Sequence, residues 1–143
     1  MKVQKITPFL WFNTGADDAA KFYISIFKNS KILHSNPMVT QFELDGLQIM
    51  ILNGGPIYKL NEAFSLSISC DTQEEINYYW DKLSEGGSEG QCGWLIDKFG
   101  VSWQVVPAIL SELLSDPSKA GRVTQAFLKM KKFDIEKLKQ ASL

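Results

Sequence analysis

Few residues in the chain could attack, move a proton or hold a metal. His34 is the single histidine, and no Glu or His stands at helical spacing from it. An isolated imidazole on a short strand or loop reads as a surface or structural group. Cys70 and Cys92 lack the CxxC spacing of zinc or redox sites and read as two reduced thiols. Cys92 precedes Gly93-Trp94, but only His34 could serve it as a base. No Gly-x-Ser-x-Gly elbow is present. Gly54-Gly55-Pro56 follows a strand without opening a helix, and Gly86-Gly87 follows a helix. Neither matches the GxGxxG turn that holds a dinucleotide or methyl donor. Glu43 is the one carboxylate placed for acid–base work. Burial would raise its pKa and make it a general base; solvated, it is only a surface charge.

The elements that must position such groups follow from periodicity. Ile6 to Phe12 reads as a strand and Ala16 to Lys28 as a helix with Ala19, Phe22, Tyr23, Ile26 and Phe27 on one face. Lys31 to His34 is a short strand. Val39 to Leu44 and Leu47 to Leu52 form a hairpin about Asp45-Gly46. Phe64 to Cys70 alternates apolar residues with Ser65, Ser67 and Ser69. A helix then opens at Thr72, whose Glu75 three residues on completes a capping-box pattern. Its stripe is Ile76, Tyr79, Trp80 and Leu83. Trp94 to Ile96 and Val101 to Val106 are strands. The tail is helical over Ala108 to Leu114, Ala120 to Lys132 and Ile135 to Ala141.

This order of strand, helix and strands occurs twice. A shift of 57 lays Asp18, Phe22, Tyr23 and Ile26 on Glu75, Tyr79, Trp80 and Leu83, and Phe9 and Trp11 on Leu66 and Ile68. Phe42 to Gly46 resembles Trp94 to Asp97 followed by Gly100, and Leu47 to Leu52 falls on Val101 to Val106. Two such modules suggest duplication, and each is small for a core of its own. We expect one α+β domain over residues 1–143. Its duplicated βαβββ modules span 4–55 and 62–107, and a helical tail spans 108–143.

Alternation, read through this repeat, assigns Phe42, Leu44, Ile49, Ile51, Trp94, Ile96, Trp103 and Val105 to the helix side. It leaves Gln41, Glu43, Gln48, Met50, Leu52, Ser65, Ser67, Ser69, Leu95, Ser102 and Gln104 on the opposite faces. That set is mixed, as in a binding cleft. Solvated faces or core filling fit it as well. The substrate-binding candidates are Gln41, Glu43, Met50, Ser65, Ser67 and Gln104, with Glu43 as the catalytic candidate.

Composition sets the outer limits. The chain has 143 residues, 45% hydrophobic and 22% charged, with net charge -1. This suits one globular domain and gives no electrostatic footprint for nucleic acid or an anionic membrane. The tail carries Lys129, Lys131, Lys132, Lys137 and Lys139, but Asp134 and Glu136 interleave, so a solvated helix face is expected. The start, MKVQKITPFLWF, reads as no signal peptide, and no run approaches 18 apolar residues. A cytoplasmic protein is expected.

Several blocks in order resemble one family: ITPFLWF, QFELDGLQIMILNGGP, DTQEE, KLSEGG, QCGWLIDKFGVSWQVVP and ELLSDP…RVTQAFLKMKKFDIEKL. They are similar to the PhnB-like branch of the vicinal oxygen chelate superfamily, the glyoxalase, bleomycin-resistance and dioxygenase group. Members carry the label 3-demethylubiquinone-9 3-methyltransferase domain. The resemblance implies two curved, mostly antiparallel sheets facing each other, a homodimer and a cleft near the pairing of modules. The link Ser35-Asn36-Pro37 is shorter than the Gly-rich loop relatives often have beside that pocket.

In metal-dependent members each module gives two ligands, from its first and last strands. Transferred here, these are Pro8 or Leu10 with Met50, and Ser65 or Ser67 with Gln104. Only Gln104 is a credible donor, since Pro, Leu and Met do not hold hard divalent ions. The resemblance therefore implies a binder of a small organic molecule without the usual metal, its reaction open. A metal-dependent glyoxalase- or dioxygenase-type enzyme around Gln104 and Glu43 stays as an alternative. So does a sequestering protein of the bleomycin-resistance type. Methyl transfer is not expected, because the donor-binding turn is missing.

Overall fold

The computed structural model describes residues 4–143, so Met1, Lys2 and Val3 of the leader reading lie outside them. The chain forms two compact units, Met1–Leu60 and Asn61–Leu143.

Unit 1 contains β1 (Phe9–Phe12), α1 (Ala16–Ile26), β2 (Ser30–Ser35), β3 (Val39–Leu44) and β4 (Leu47–Asn53). The sheet order is β1-β4-β3-β2, with β1 parallel to β4 and the other pairs antiparallel. The first strand starts at Phe9 rather than Ile6 because Pro8 has no N–H to extend a ladder. Pro8 contributes only its carbonyl, which accepts from Met50 N at 3.0 Å. The Gln4 side chain stands in for the missing strand: Nε2 donates to Gln48 O at 2.9 Å and Oε1 accepts from Gln48 N at 3.1 Å. Helix α1 has Gly15 at its N-cap, which has no side chain to cap with. Asn53, at the end of β4, does so instead, its Oδ1 accepting from Ala16 N at 2.9 Å. Its Nδ2 also binds Pro37 O at 3.1 Å, tying the helix start to the turn before β3. Ala19, Ala20, Tyr23 and Ile26 bury against the sheet, where Tyr23 stacks on Phe42 at 5.9 Å between centroids. Each large side chain so buried contributes roughly 1.5–3 kcal/mol.

Unit 2 repeats the plan with β5 (Ser65–Cys70), α2 (Gln73–Ser84), β6 (Ser88–Glu89), β7 (Trp94–Ile96) and β8 (Ser102–Pro107), in sheet order β5-β8-β7-β6. Thr72 caps α2 by accepting from Glu75 N at 3.1 Å, as its spacing predicts. The reciprocal bond goes from Asp71 N to Glu75 Oε1, at 3.4 Å, one residue before the box position. Ile76, Trp80 and Leu83 are buried. The two-residue β6 was not legible in the sequence.

The tail forms α3 (Ile109–Ser115), α4 (Pro117–Phe127) and α5 (Ile135–Ala141). The expected helix to Lys132 ends early for a physical reason. Met130 N turns back onto Phe127 O at 2.9 Å, and the carbonyls of Met130 and Lys131 accept from Cys92 N and Gly93 N at 2.8 and 2.7 Å, which draws the segment after Phe127 off the helix path and onto the loop before β7. Phe133 then buries against Gly93, where a Cβ would stand 2.5 Å from its ring. Gln73 holds the same segment from the other side, donating to Phe133 O and accepting from Ile135 N.

Candidate functional site

In each unit the helix covers one face of the sheet, and the opposite, open face is exposed or half-buried except at Ser102. The pairings fix which side chains share a face. In unit 1, Phe9 lies opposite Met50, Gln41 opposite Met50 on the other side, and Glu43 between Lys31 and Gln48. The open face therefore carries Phe9, Trp11, Gln41, Glu43, Gln48 and Met50. Gln41 Nε2 donates to Gln48 Oε1 at 3.0 Å. Trp11 is held too: its indole donates to Gly55 O at 3.0 Å, Tyr58 meets it edge-on at 4.9 Å, and Gly54 lies against its ring. Any side chain at Gly54 would overlap that ring. Glu43 is half-buried, beneath neither a helix nor a metal ligand set.

Leu10, one of the two transferred ligand positions on β1, belongs to the core at 4% exposure. The residue opposite Met50 is Phe9. The 57-residue shift holds for the helices, where Tyr23 and Trp80 are both buried. It is one residue short for the first strands, because Phe9 matches Ser67 across equivalent pairings.

In unit 2, Ser65 pairs with Ser102 and Ser67 with Gln104, while Trp94 lies opposite Gln104 and Ile96 opposite Ser102. Trp94 and Ile96 thus share the open face with Ser65, Ser67, Ser102 and Gln104, and Leu95 turns to the core at 1% exposure. This reverses the expected sides of Trp94, Leu95 and Ile96. The cause is the loop Asp97–Val101. Its five residues place Leu95 opposite Trp103, whereas a two-residue turn would have shifted the register. Asp97 organises that loop. Its Oδ1 accepts from Phe99 N and Val101 N at 2.8 and 3.1 Å, and its Oδ2 from Trp103 Nε1 at 2.8 Å.

Gln104 Nε2 donates to Ser65 Oγ at 3.0 Å, leaving the Ser65 hydroxyl hydrogen and Gln104 Oε1 available. Ser102 is 2% exposed, and its hydroxyl has no partner among the described residues. A buried hydroxyl left unpaired costs stability, so such a group calls for an explanation. Of the four tryptophans, Trp11, Trp80 and Trp103 give their indole N–H to Gly55 O, Glu89 Oε1 and Asp97 Oδ2. Ser102 and Trp94 are the polar and aromatic features that strand parity alone misplaced or left unweighted. The length of the loop after β7 was the signal.

The thiols are no nucleophiles in waiting. Burial, with Glu75 and Asp71 nearby, pushes the Cys70 thiol up to about 12. Cys92 Sγ points at Phe127 O, 3.6 Å away, in the tail contact. His34 is exposed and lies beside Asn36 at 3.3 Å. An opening of about 690 Å³ in unit 2 lies between the start of α2 and residues 129–139. None of the six candidates lines it. Its lysines alternate with Asp71, Asp134 and Glu136, as a solvated surface would.

A family model described as 3-demethylubiquinone-9 3-methyltransferase matches residues 4–106. The chain belongs to this PhnB-like family of the vicinal oxygen chelate superfamily. The PhnB protein of Bacillus cereus, which carries the same methyltransferase name, is 32% identical over 73% of this chain and 100% of its own, with a TM-score of 0.67. Similarity of fold extends further. A fosfomycin resistance protein from Listeria monocytogenes, solved with Mn(II) and sulfate, superposes with a TM-score of 0.60 at 17% identity, over 80% of this chain and 98% of its own. A glyoxalase/bleomycin resistance protein/dioxygenase family enzyme from Burkholderia phytofirmans gives 0.55 at 11% identity, over 70% and 96%. No curated protein matches the chain. The expected α+β fold of duplicated βαβββ modules is the one observed.

The superfamily implies a divalent metal, and the residues here do not fit one. The paired strand positions hold Phe9 and Met50 in unit 1 and Ser67 and Gln104 in unit 2. One neutral amide oxygen and a hydroxyl are weak ligands for a hard cation. Among the described residues no three His, Cys, Asp or Glu side chains converge.

Proposed function

We propose that this protein binds a small organic molecule on the open face of β5 and β8, without the divalent ion of its superfamily. The observation that carries the reading is Ser102: a fully buried hydroxyl with no partner, beside Ser65 and Gln104, which still have hydrogen-bonding capacity. These groups supply donors and acceptors and no formal charge. They suit a neutral hydroxyl, amide or carbonyl group, with Trp94 and Ile96 beside it for an apolar part. Gln41, Glu43 and Met50 form a second contact surface in unit 1. Glu43 remains the candidate base if a reaction follows binding.

The family's methyltransferase name is not matched by a donor site. Neither four-stranded mixed sheet is doubly wound, and no glycine-rich turn leads from a strand into a helix. No described helix is long and apolar enough to cross a membrane. A homodimer and a cytoplasmic setting belong to the proposal; the family resemblance supports the first and the two free cysteines support the second.

The test is elemental analysis after purification from manganese-supplemented growth, run beside an NMR screen of small neutral organic molecules. We expect well under one metal per chain. We also expect hits that shift the Ser65, Ser102 and Gln104 amides and weaken about tenfold in Gln104→Ala, on the scale of a lost buried hydrogen bond. One tightly held metal per chain, lost in Gln104→Ala, overturns the reading.

A further inference from the structure

We infer that residues 127–135 of the tail form a releasable clasp on the tip of the β6–β7 hairpin, whose opening frees the hairpin that presents Trp94 while the sheet of unit 2 stays folded. The inference goes beyond the binding reading and stands whether or not the open face takes a ligand. The tail lies beyond the matched residues 4–106, whose plan is complete without it. Its helices pack on one another: α4 lies against α3 and α5, and Arg122 of α4 donates to Ala141 O and Ser142 O at 3.1 and 3.2 Å. Its hold on the hairpin is concentrated in the clasp. The Met130 and Lys131 carbonyls take the N–H groups of Cys92 and Gly93, Gln73 ties Phe133 O and Ile135 N, and the Phe133 ring fills the space a Gly93 Cβ would need. Around these few points the packing is open. The opening of about 690 Å³ separates the start of α2 from residues 129–139, and among the described residues no ion pair closes it. An interface held at discrete points, without close packing between them, is the kind that opens locally.

A second, independent observation lies in the hairpin itself. Residues 91–94 form its turn, closed by Trp94 N on Gln91 O at 3.1 Å. The central residues Cys92 and Gly93 have φ of 57° and 81°, both positive as in a type I′ turn. Glycine enters that region freely, whereas cysteine does so rarely. A strained residue persists where its surroundings over-determine it, and here the clasp holds both central N–H groups. Strand β6 has two residues, too short a ladder to fix the turn by itself. Clasp and turn therefore support each other, and losing the clasp leaves a strained turn on a short hairpin. In the clasped state Cys92 is half-buried, with Sγ 3.6 Å from Phe127 O, and release uncovers it. Cys70, fully buried at the end of β5, reports on the sheet instead.

The test reacts the full-length protein with iodoacetamide under native conditions and follows each thiol by peptide mass. Wild type is set beside Phe133→Ala, which empties the Gly93 cradle, and Gln73→Ala, which removes two hydrogen bonds to the clasp and leaves the apolar packing in place. We expect the Cys92 labelling rate to rise about tenfold or more in Phe133→Ala and about fivefold or more in Gln73→Ala. Cys70 should stay unlabelled over the same time. Amide exchange of Cys92 and Gly93 should quicken by the same factors, with the β5 amides unmoved. Gln73→Ala carries the test by itself if Phe133→Ala fails to fold. In that variant, Cys70 labelling in step with Cys92 means that only global unfolding exposes either thiol. An unchanged Cys92 rate means that the clasp does not cover it. Either result overturns the inference. Neither touches the binding reading, which is judged by the response of the Ser65, Ser102 and Gln104 amides to neutral molecules.

Discussion

The hairpin between β3 and β4 turns in two residues, Asp45 and Gly46, both in the left-handed region. Its counterpart between β7 and β8 takes five, Asp97 to Val101, knotted around a buried carboxylate. The longer loop changes which side chains of the strand before it face the helix. In unit 1 the shorter turn leaves Gln41 and Glu43 on the open face, where Gln41 donates to Gln48. In unit 2 the longer loop sends Leu95 inward and brings Trp94 and Ile96 out beside Ser102. One duplicated plan thus yields two faces of different character, and the one in unit 2 carries a buried hydroxyl with no partner among the described residues. Three extra loop residues are enough to separate a scaffold surface from a candidate binding surface.

The largest effect should come from the knot itself. Asp97→Ala strands two backbone N–H groups and the Trp103 indole, and should cost about 3 kcal/mol, as buried unsatisfied donors do. Asp45→Ala in the matching turn should cost only about 1 kcal/mol, the strain of an alanine in the left-handed region. Urea denaturation of both variants measures the difference, and equal losses would break the comparison.

A smaller effect of opposite sign sharpens it. Ser102→Ala removes an unpartnered buried hydroxyl and should stabilise the protein by up to about 1 kcal/mol. Gln41→Ala breaks a made hydrogen bond and should destabilise by about 0.5 kcal/mol. If Ser102→Ala destabilises instead, the hydroxyl has a partner, and the open face of unit 2 is no less satisfied than that of unit 1.

A separate effect appears only at alkaline pH. Cys70 closes β5 on the core side, and its pKa rises from the ordinary 9.0 to about 12 on folding. Between those values the unfolded chain has lost a proton that the folded chain keeps. Stability should therefore be intact below pH 9 and fall as pH rises from 9 toward 12. Cys70→Ala should lose this slope, whatever its effect at neutral pH, and thermal unfolding at pH 7.5 and 10 reads it. An unchanged slope would mean the thiol is not what burial makes it.

Much of the fold was legible because its signals are local. Asp45-Gly46 between alternating runs marked the first hairpin, Thr72 with Glu75 marked the start of α2, and the Tyr23 and Trp80 stripes marked both helix faces. The misreadings share one origin. Trp94-Leu95-Ile96 is apolar throughout, so alternation has nothing to read, and the facing side is set by how many residues the following loop takes. The tail helix ran past Phe127 in the sequence because Lys129 to Lys132 has good helix propensity. The claim of Cys92 and Gly93 on its carbonyls is a distant partner's doing. Of the candidate face, parity placed Ser65, Ser67 and Gln104, while the unmet need of Ser102 was not legible.

The sequence by itself determined the two modules, the helix faces and the family, because periodicity, capping chemistry and residue type act over a few positions. Only the tertiary structure decided where α4 ends, which side of β7 faces outward and which hydroxyl is buried without a partner. Those depend on hydrogen bonds and register between residues far apart in the chain, where one extra residue turns a strand over and no local propensity records it.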